Sequence, residues 1–172
     1  MRSLPDYLRP GLDIVFVGAN PGLVSAEAGH YYANPRNAFW TLLYESGLVG
    51  EQLGPEDDAR LNDFGIGLTD LVKRPTRGIA DLTLRERRSG APELRRKLEA
   101  CRPRVVCFNG KDVYRGYSGQ ACQLGEQEER IAGASVFVMP STSPANARWS
   151  VDEKLGYVRE LKALVDREAR RG

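Results

Sequence analysis

The sequence predicts an α/β fold in which helices cover both faces of a mainly parallel β-sheet. Three runs have the β-branched and aromatic character of buried strands, at residues 12–18, 104–110 and 135–139. Segments with a helical spacing of apolar residues separate these runs along the chain. Strands that alternate with helices are joined by crossover connections, and such connections produce parallel sheets that are covered on both sides.

The helices are expected at residues 37–44, 55–62, 91–101, 111–117 and 152–170. Gly47 stands where a C-terminal cap of the first would lie, and Pro92 is in the first turn of the third. Residues 66–72 form too short a run to decide between strand and turn. The stretch between Gly22 and Asn37 lacks periodicity and is expected to be a loop.

Length and composition predict one globular domain spanning residues 1–172. With 41% hydrophobic and 28% charged residues, the chain resembles neither a disordered nor a fibrous protein. The net charge of +2 is too balanced to indicate nucleic-acid binding by composition, so any DNA-binding surface must be a local patch. Arginine-rich runs at 85–88, 95–97 and 167–171 are typical of solvated helix faces.

Cysteine usage argues against a disulfide framework, a zinc site or an iron–sulfur cluster. Cys101, Cys107 and Cys122 are odd in number and lack the CxxC spacing. We therefore expect no metal and no cofactor, and a reducing cytoplasmic location. The N-terminal residues have no apolar core of a signal peptide, and no run approaches the roughly 20 apolar residues of a spanning helix, so no membrane partner is expected.

Three loops follow the predicted strands, at residues 18–22, 109–111 and 140–148. Ligands of open α/β sheets bind at the carboxyl ends of the strands, where such loops converge. We therefore expect a pocket between the first and the third loop.

The first of these loops reads Gly18-Ala19-Asn20-Pro21-Gly22. The two glycines allow the backbone to turn tightly and to approach a ligand, while Pro21 stiffens the chain. An amide such as that of Asn20 both donates and accepts hydrogen bonds, so it is able to hold a water molecule in a fixed direction. Asn-Pro-Gly is also ordinary turn chemistry, and the loop alone does not decide between these interpretations.

The following stretch carries Ser25, His30, Tyr31 and Tyr32. Aromatic rings on a loop beside a pocket suit stacking on a planar base, although tyrosines also pack on a core. His30 is the only histidine, which disfavours a Ser-His-Asp triad and a two-histidine metal site.

The loop of residues 139–149 combines small hydroxyl residues, an amide and Arg148. Small side chains let backbone amides approach phosphates, and residues at the tip are able to enter the gap left by an extruded nucleotide. A plain Ser- and Pro-rich connector before the last helix would have the same composition.

Five motifs in order resemble the mismatch-specific uracil-DNA glycosylase and thymine-DNA glycosylase family. They are Gly18-Ala19-Asn20-Pro21-Gly22, Asn34-Pro35-Arg36-Asn37-Ala38-Phe39-Trp40, the segment 67–76, Gly110-Lys111 and Met139-Pro140-Ser141-Thr142-Ser143. The resemblance extends from about Gly11 into the final helix. Five motifs in the same order are far more specific than any one of them.

The resemblance implies a three-layer α/β/α sandwich, uracil-DNA glycosylase-like, that hydrolyses the N-glycosidic bond of uracil or related damaged pyrimidines in DNA. Asn20 would then position the attacking water. The residues implied in binding the base are Gly18, Ala19, Pro21, Gly22, Ser25 and Tyr32, with Ala19 meeting the base edge and Tyr32 stacking on the ring. Those implied in binding DNA are Lys111, Ser141, Ser143, Pro144, Ala145, Asn146 and Arg148.

The tip of the last loop departs from the family pattern, because Pro144-Ala145-Asn146-Ala147-Arg148 stands where bacterial relatives have a Gly-Leu-Ser-Arg-like wedge. The wedge residue and the opposite-base preference therefore stay open. The partner implied is double-stranded DNA with uracil or a mismatched or damaged pyrimidine, bound by a monomer that associates with the bacterial nucleoid when acting.

A carboxylate would assist Asn20, because an amide is a poor base. Asp70 and Asp81 are the candidates, and Asp81 is preferred as a catalytic residue because relatives carry an acidic residue there; a helix N-cap is its alternative role. No lysine stands out in a desolvated setting, which predicts a monofunctional enzyme. The alternatives are a lesion binder without turnover and a nucleotide-binding α/β protein, although GxGxxG and GxxxxGK[ST] spacings are lacking.

Overall fold

A computed structural model describes residues 2–171. Its strands are β1 (Ile14–Gly18), β2 (Ile66–Asp70), β3 (Val105–Asn109), β4 (Gly125–Ile131) and β5 (Ala134–Met139). Its α-helices are α1 (Leu23–Ala28), α2 (Phe39–Glu45), α3 (Leu84–Ser89), α4 (Ala91–Cys101), α5 (Lys111–Ser118) and α6 (Val151–Arg171). Two 3₁₀-helices span Pro55–Phe64 and Ile79–Asp81.

The five strands form one sheet in the order β2-β1-β3-β5-β4, and only β4 is antiparallel to its neighbour. Successive side chains of β1 point to opposite faces of the sheet, as in any pleated strand. Phe16 packs in a cluster with α2 and α6, while Val15 and Val17 pack in a second cluster with α4 and α5. A helical layer thus lies on each face, and the predicted three-layer α/β/α architecture is confirmed.

One predicted segment was wrong, and one that the sequence left open is resolved by the structure. Helix α1 lies inside the stretch between Gly22 and Asn37, which was expected to be a loop. Its six residues are too few to show helical periodicity, and Gly29 ends it in the left-handed region with φ of 79°. The uncertain run at 66–72 contains strand β2, whose five residues are all buried.

Strand β4 was missed because it is polar and mostly exposed, with glutamates where a buried strand would have apolar side chains. It forms a hairpin with β5 through Ala132 and Gly133, both with positive φ, as a two-residue hairpin turn requires.

None of the helices within residues 2–171 combines the length and the apolar character needed to cross a membrane.

Candidate functional site

A cavity of about 880 Å³ opens at the carboxyl ends of the parallel strands. Its walls come from the loops that follow β1, β2, β3 and β5, together with the Tyr31–Asn37 turn. The first and third predicted loops face each other across it, as expected for loops that follow the carboxyl ends of parallel strands. All of the predicted substrate-binding and DNA-binding residues line this cavity.

The segment from Gly18 to Gly22 is held against the segment that follows β2. Backbone N–H groups of Leu71 and Val72 donate to the carbonyls of Gly18 and Ala19, at 2.8 and 2.9 Å. Farther along, the Thr76 N–H donates to the Pro21 carbonyl at 3.1 Å. These bonds prolong the β1–β2 ladder past the strand ends, so the turn that carries Asn20 is rigid.

Asn20 has one orientation that its partners allow. Its Nδ2 donates to the Arg74 carbonyl at 2.7 Å and to Thr76 Oγ1 at 2.8 Å. A carbonyl only accepts, so the atom facing Arg74 must be the nitrogen. The Thr76 hydroxyl donates to the Gly78 carbonyl at 2.8 Å and is therefore an acceptor toward Asn20. Both amide hydrogens are engaged, and Oδ1 is the end of the side chain left to accept from a ligand.

Asp70 ends β2 on the wall of the cavity and is 5% exposed. Burial raises the pKa of its carboxyl to about 7, and the nearby Lys73 opposes that rise. Its Oδ2 is buried and has no hydrogen-bond partner among the described residues. A carboxyl with a pKa near neutrality and an unpartnered oxygen is equipped to take up a proton.

Tyr32 lies beside Asp70 and has an unusual backbone, with φ of 52°. One face of its ring is stacked on Phe39, with centroids 4.1 Å apart. Its hydroxyl is buried without a hydrogen-bond partner in residues 2–171, and burial together with Asp70 raises its pKa. The tyrosine therefore has a core contact on one ring face and also lines the cavity.

Gly18 lies where these two polar groups approach the backbone. A Cβ at Gly18 would lie 3.0 Å from both Asp70 Oδ1 and the Tyr32 hydroxyl oxygen. The glycine is thus required by close packing of the cavity floor, since its φ is not in the left-handed region.

Ser25 and the loop after β5 have structural partners as well as a place in the cavity wall. The Ser25 hydroxyl accepts from the Ala33 N–H at 3.0 Å, which fixes the turn that carries Tyr32. Asn109 and Thr142 form two hydrogen bonds, both at 3.0 Å, that join the end of β3 to the loop. Farther along, Asn146 Nδ2 donates to the Ser141 carbonyl at 3.1 Å.

Four cations lie at the mouth of the cavity, namely Arg36, Arg77, Lys111 and Arg148. All four are exposed, and none forms an ion pair with another residue in the range 2–171. Two of them, Arg36 and Arg77, were not among the predicted DNA-binding residues. Arg36 belongs to one of the five recognised motifs, so its position was a usable signal, whereas Arg77 follows the motif 67–76 by one residue.

The structure does not bring Asp81, the residue predicted to assist Asn20, to the cavity. Asp81 is exposed at the end of a 3₁₀-helix and is absent from the cavity wall. Its alternative role is not found either, because the N-cap of α3 is Thr83, which accepts from the Glu86 N–H. Arg74, which also flanks this loop, is bound to Glu86 through two contacts of 2.8 Å.

No group of three His, Cys, Asp or Glu side chains suited to a metal ion occurs in the part of the chain that the structure describes.

The fold and the cavity together define a class of protein: a three-layer α/β protein with a pocket at the carboxyl ends of its parallel strands. The cations at the mouth suit a ligand that carries phosphates.

The Uracil DNA glycosylase superfamily model matches residues 5–162, and the chain belongs to this superfamily. The solution NMR structure of a candidate uracil DNA glycosylase from Methanosarcina acetivorans is similar, with 26% sequence identity and a TM-score of 0.62. The match covers 94% of this chain and 98% of that chain. The protein is thus a DNA glycosylase at the level of its superfamily.

Proposed function

We propose that this protein flips uracil out of double-stranded DNA, notably from U:G mispairs, and hydrolyses its N-glycosidic bond without cleaving the strand. The superfamily match and the five ordered motifs support this function. The observation that carries it is the orientation of Asn20, whose Oδ1 is the free acceptor of an amide held by Arg74 and Thr76.

In this mechanism Asn20 aligns one water molecule with C1′ of the extruded nucleotide. The Ala19 backbone meets the base edge, and the ring face of Tyr32 away from Phe39 stacks on the base. The bond between C1′ and N1 of uracil breaks with its electron pair going to N1, so the base leaves as an anion. The water oxygen bonds to C1′, and the developing positive charge on the sugar is relieved.

We propose Asp70, and not Asp81, as the carboxylate that assists Asn20. Its buried side chain lines the same cavity, whereas Asp81 faces solvent. In its ionised form Asp70 stabilises the cationic sugar and accepts the proton that the water loses. A pKa near 7 leaves a sizeable ionised fraction at neutral pH, which a carboxylate acting as a base requires.

DNA is held by the four cations at the mouth and by the loop after β5. Their charges are available to phosphates, because no ion pair within the described residues engages Arg36, Arg77, Lys111 or Arg148. The exposed tip near Ala145 and its neighbours Pro144 and Asn146 would enter the gap that the flipped nucleotide leaves.

Strand cleavage by a Schiff base requires a lysine amine that is deprotonated and in reach of C1′. Lys111 is the cavity-lining lysine among the described residues, and it is exposed. The structure does contain a desolvated lysine, contrary to expectation: Lys154 in α6 is 5% exposed and burial lowers its pKa. Lys154 does not line the cavity, so the proposal of a monofunctional enzyme stands.

The decisive experiment is single-turnover excision on U:G, U:A, T:G and single-stranded uracil substrates. Asn20→Ala should lower the rate on U:G by about 100-fold or more, the scale of a lost positioned catalytic group. Strand breaks should appear only after the abasic product is treated with alkali, and borohydride should trap no covalent complex. Tight binding of U:G duplex without any abasic product would instead indicate a lesion binder.

Asp70→Asn and Asp81→Asn form a matched pair in the same assay. Asp70→Asn should slow excision by about tenfold or more, while Asp81→Asn should stay within about twofold, roughly 0.4 kcal/mol. Equal effects of the two substitutions would contradict the choice of Asp70.

A further inference from the structure

We propose that Lys73 and Asp6 are positioning residues for Asp70: together they hold a positive charge at a fixed distance from its carboxyl and thereby set the pH at which it ionises. The electrostatic part of this inference concerns Asp70 itself and is independent of catalysis. Its consequence for the excision rate rests on the proposed function.

Lys73 is shared unequally between two carboxylates. Its Nζ lies 2.5 Å from Asp6 Oδ1 but 3.7 Å from Asp70 Oδ2. The shorter contact is the stronger one, so Lys73 is drawn toward Asp6 and leaves Asp70 without a hydrogen bond at that oxygen. Asp6 therefore competes with Asp70 for the same ammonium group.

Asp6 is itself fixed in place by two further contacts. Lys97 in α4 lies 2.6 Å from its second oxygen, and the Thr69 hydroxyl donates to its first at 2.7 Å. Thr69 is the residue before Asp70 in β2, so the strand that carries Asp70 also anchors its competitor.

The N-terminal segment that carries Asp6 reaches the cavity wall through Leu4, although Asp6 lies more than sixty residues from Asp70 in sequence. Leu4 is buried and lines the cavity, and its carbonyl accepts from Lys73 Nζ at 3.1 Å. The Tyr31 hydroxyl donates to the Pro5 carbonyl at 2.8 Å. The two middle members of the charged chain from Lys97 to Asp70, namely Asp6 and Lys73, are thus held in place by contacts outside the chain.

The charged and titratable groups that face Asp70 come from four parts of the chain. Lys73 follows it on its own segment, Asp6 comes from the N-terminal segment, and Lys97 comes from α4. Tyr31 and Tyr32 face it from the turn after α1, and both stay neutral in the physiological range because burial raises each pKa. Burial raises the pKa of Asp70, and the charges that act on top of it are two cations, which oppose the rise, and one anion, which adds to it.

This balance predicts shifts of opposite sign. Lys73→Met removes the nearest cation, so the carboxyl of Asp70 should ionise at higher pH. Asp6→Asn removes the competing anion and frees Lys73, so Asp70 should ionise at lower pH. Lys73→Arg keeps the charge and should return the titration toward that of the unmodified protein.

The test is a pH titration of the aspartate Cγ signals by NMR in the full-length protein labelled at aspartate, with Asp70→Asn used to assign the signal. The midpoint should move up by about one pH unit in Lys73→Met and down in Asp6→Asn, the scale expected for a charge at this distance. Lys162→Met, which removes a half-buried lysine paired with Asp166 at 2.8 Å in α6, is the matched control and should leave the midpoint unchanged.

Single-turnover excision of U:G across pH 5.5 to 9 is measured on the same variants. The pH–rate profile should move in the same directions as the NMR midpoint. A midpoint that does not move in Lys73→Met and Asp6→Asn overturns the inference even if both variants are slow. Midpoints that move while the pH–rate profile does not would support the inference and contradict the catalytic role of Asp70. If Lys73→Met does not fold, the downward shift in Asp6→Asn decides alone.

Discussion

Asn20 depends on a threonine hydroxyl for its orientation. Thr76 is 6% exposed, accepts from Asn20 Nδ2 and donates to the Gly78 carbonyl. Because the hydroxyl hydrogen is committed to Gly78, the Asn20 amide cannot turn over without losing a hydrogen bond. The direction in which Oδ1 points is therefore a property of three residues and not of Asn20 alone.

Thr76→Val should consequently lower the single-turnover rate on U:G by about tenfold, because it keeps the shape of the side chain but removes the acceptor. Thr76→Ser retains the hydroxyl and serves as the control, with a rate expected within about threefold of the unmodified protein. A thermal melt of both variants separates this effect from unfolding. Equal rates for Val and Ser would show that the hydroxyl does not position Asn20.

The buried carboxyl of Asp70 should also lower the free energy of unfolding of the protein. Its pKa is raised from 3.8 to about 7, so between these values the folded state holds a proton that the unfolded state has released. Stability therefore falls as pH rises through this window and is flat above it. Removing the carboxyl removes this loss.

We expect Asp70→Asn to be more stable than the unmodified protein, by an amount that grows from pH 4 to pH 7 and then levels off. The gain should be on the order of 1 to 4 kcal/mol, since one pKa unit corresponds to about 1.4 kcal/mol. Urea unfolding at several pH values measures it, with the exposed Asp81→Asn as the control. A gain that is the same at pH 4 and pH 8 would contradict a buried, proton-holding Asp70.

At the scale of elements, the junction between α3 and α4 supports the segment that carries Asp70. Gly90 lies at this junction with an ordinary φ of −78°, and a Cβ built on it would overlap the carbonyl oxygen of Leu71. Leu71 directly follows Asp70, and its N–H is bonded to Gly18. The junction of α3 and α4 therefore packs directly against the backbone of Leu71, next to Asp70.

Gly90→Ala should destabilise the protein by about 1 to 3 kcal/mol, the usual cost of overpacking, despite the better helix propensity of alanine. Gly78→Ala is the matched control, because a Cβ there meets no atom within 4 Å and φ of −167° is extended backbone. Chemical denaturation of both variants gives the comparison. A neutral Gly90→Ala would mean that α3 and α4 shift freely against β2.

At the scale of the whole molecule, a net charge of +2 conceals a cavity mouth with four unpaired cations. Carboxylates neutralise arginines elsewhere, as in the Arg74–Glu86 and Arg167–Glu126 pairs. Charge that is locally unbalanced is enough for DNA binding, because affinity depends on the phosphates contacted and not on the total charge.

Binding of U:G duplex to the Asn20→Ala variant should therefore weaken steeply with salt. Adding Arg36→Ala or Arg77→Ala to it should reduce the slope of log affinity against log salt concentration by about 0.9 each, which is one phosphate contact. Arg159→Ala, an exposed residue of α6 that does not line the cavity, should leave the slope unchanged. Identical slopes for all three variants would show that neither Arg36 nor Arg77 contacts a DNA phosphate.

The elements with strong periodicity were predictable from sequence for a physical reason. A buried strand such as β1 or β3 is apolar on both faces, and α6 repeats buried residues at Val158, Leu161 and Val165, so local pattern reports burial directly. The polar edge strand β4 and the six-residue helix α1 were not predictable, because neither buries enough residues to leave a pattern.

The layered α/β fold, the strand-end position of the pocket and the loops that form it were predictable from sequence alone. They follow from the local periodicity of apolar residues and from the rule that parallel strands end at one edge of a sheet. Which of the two candidate aspartates lines the pocket, and which cations have no ion pair among residues 2–171, followed only from tertiary contacts. Asp70 and Asp81 look alike in sequence, and burial, which alone separates them, depends on Asp6, Tyr32 and Lys73 meeting across the fold.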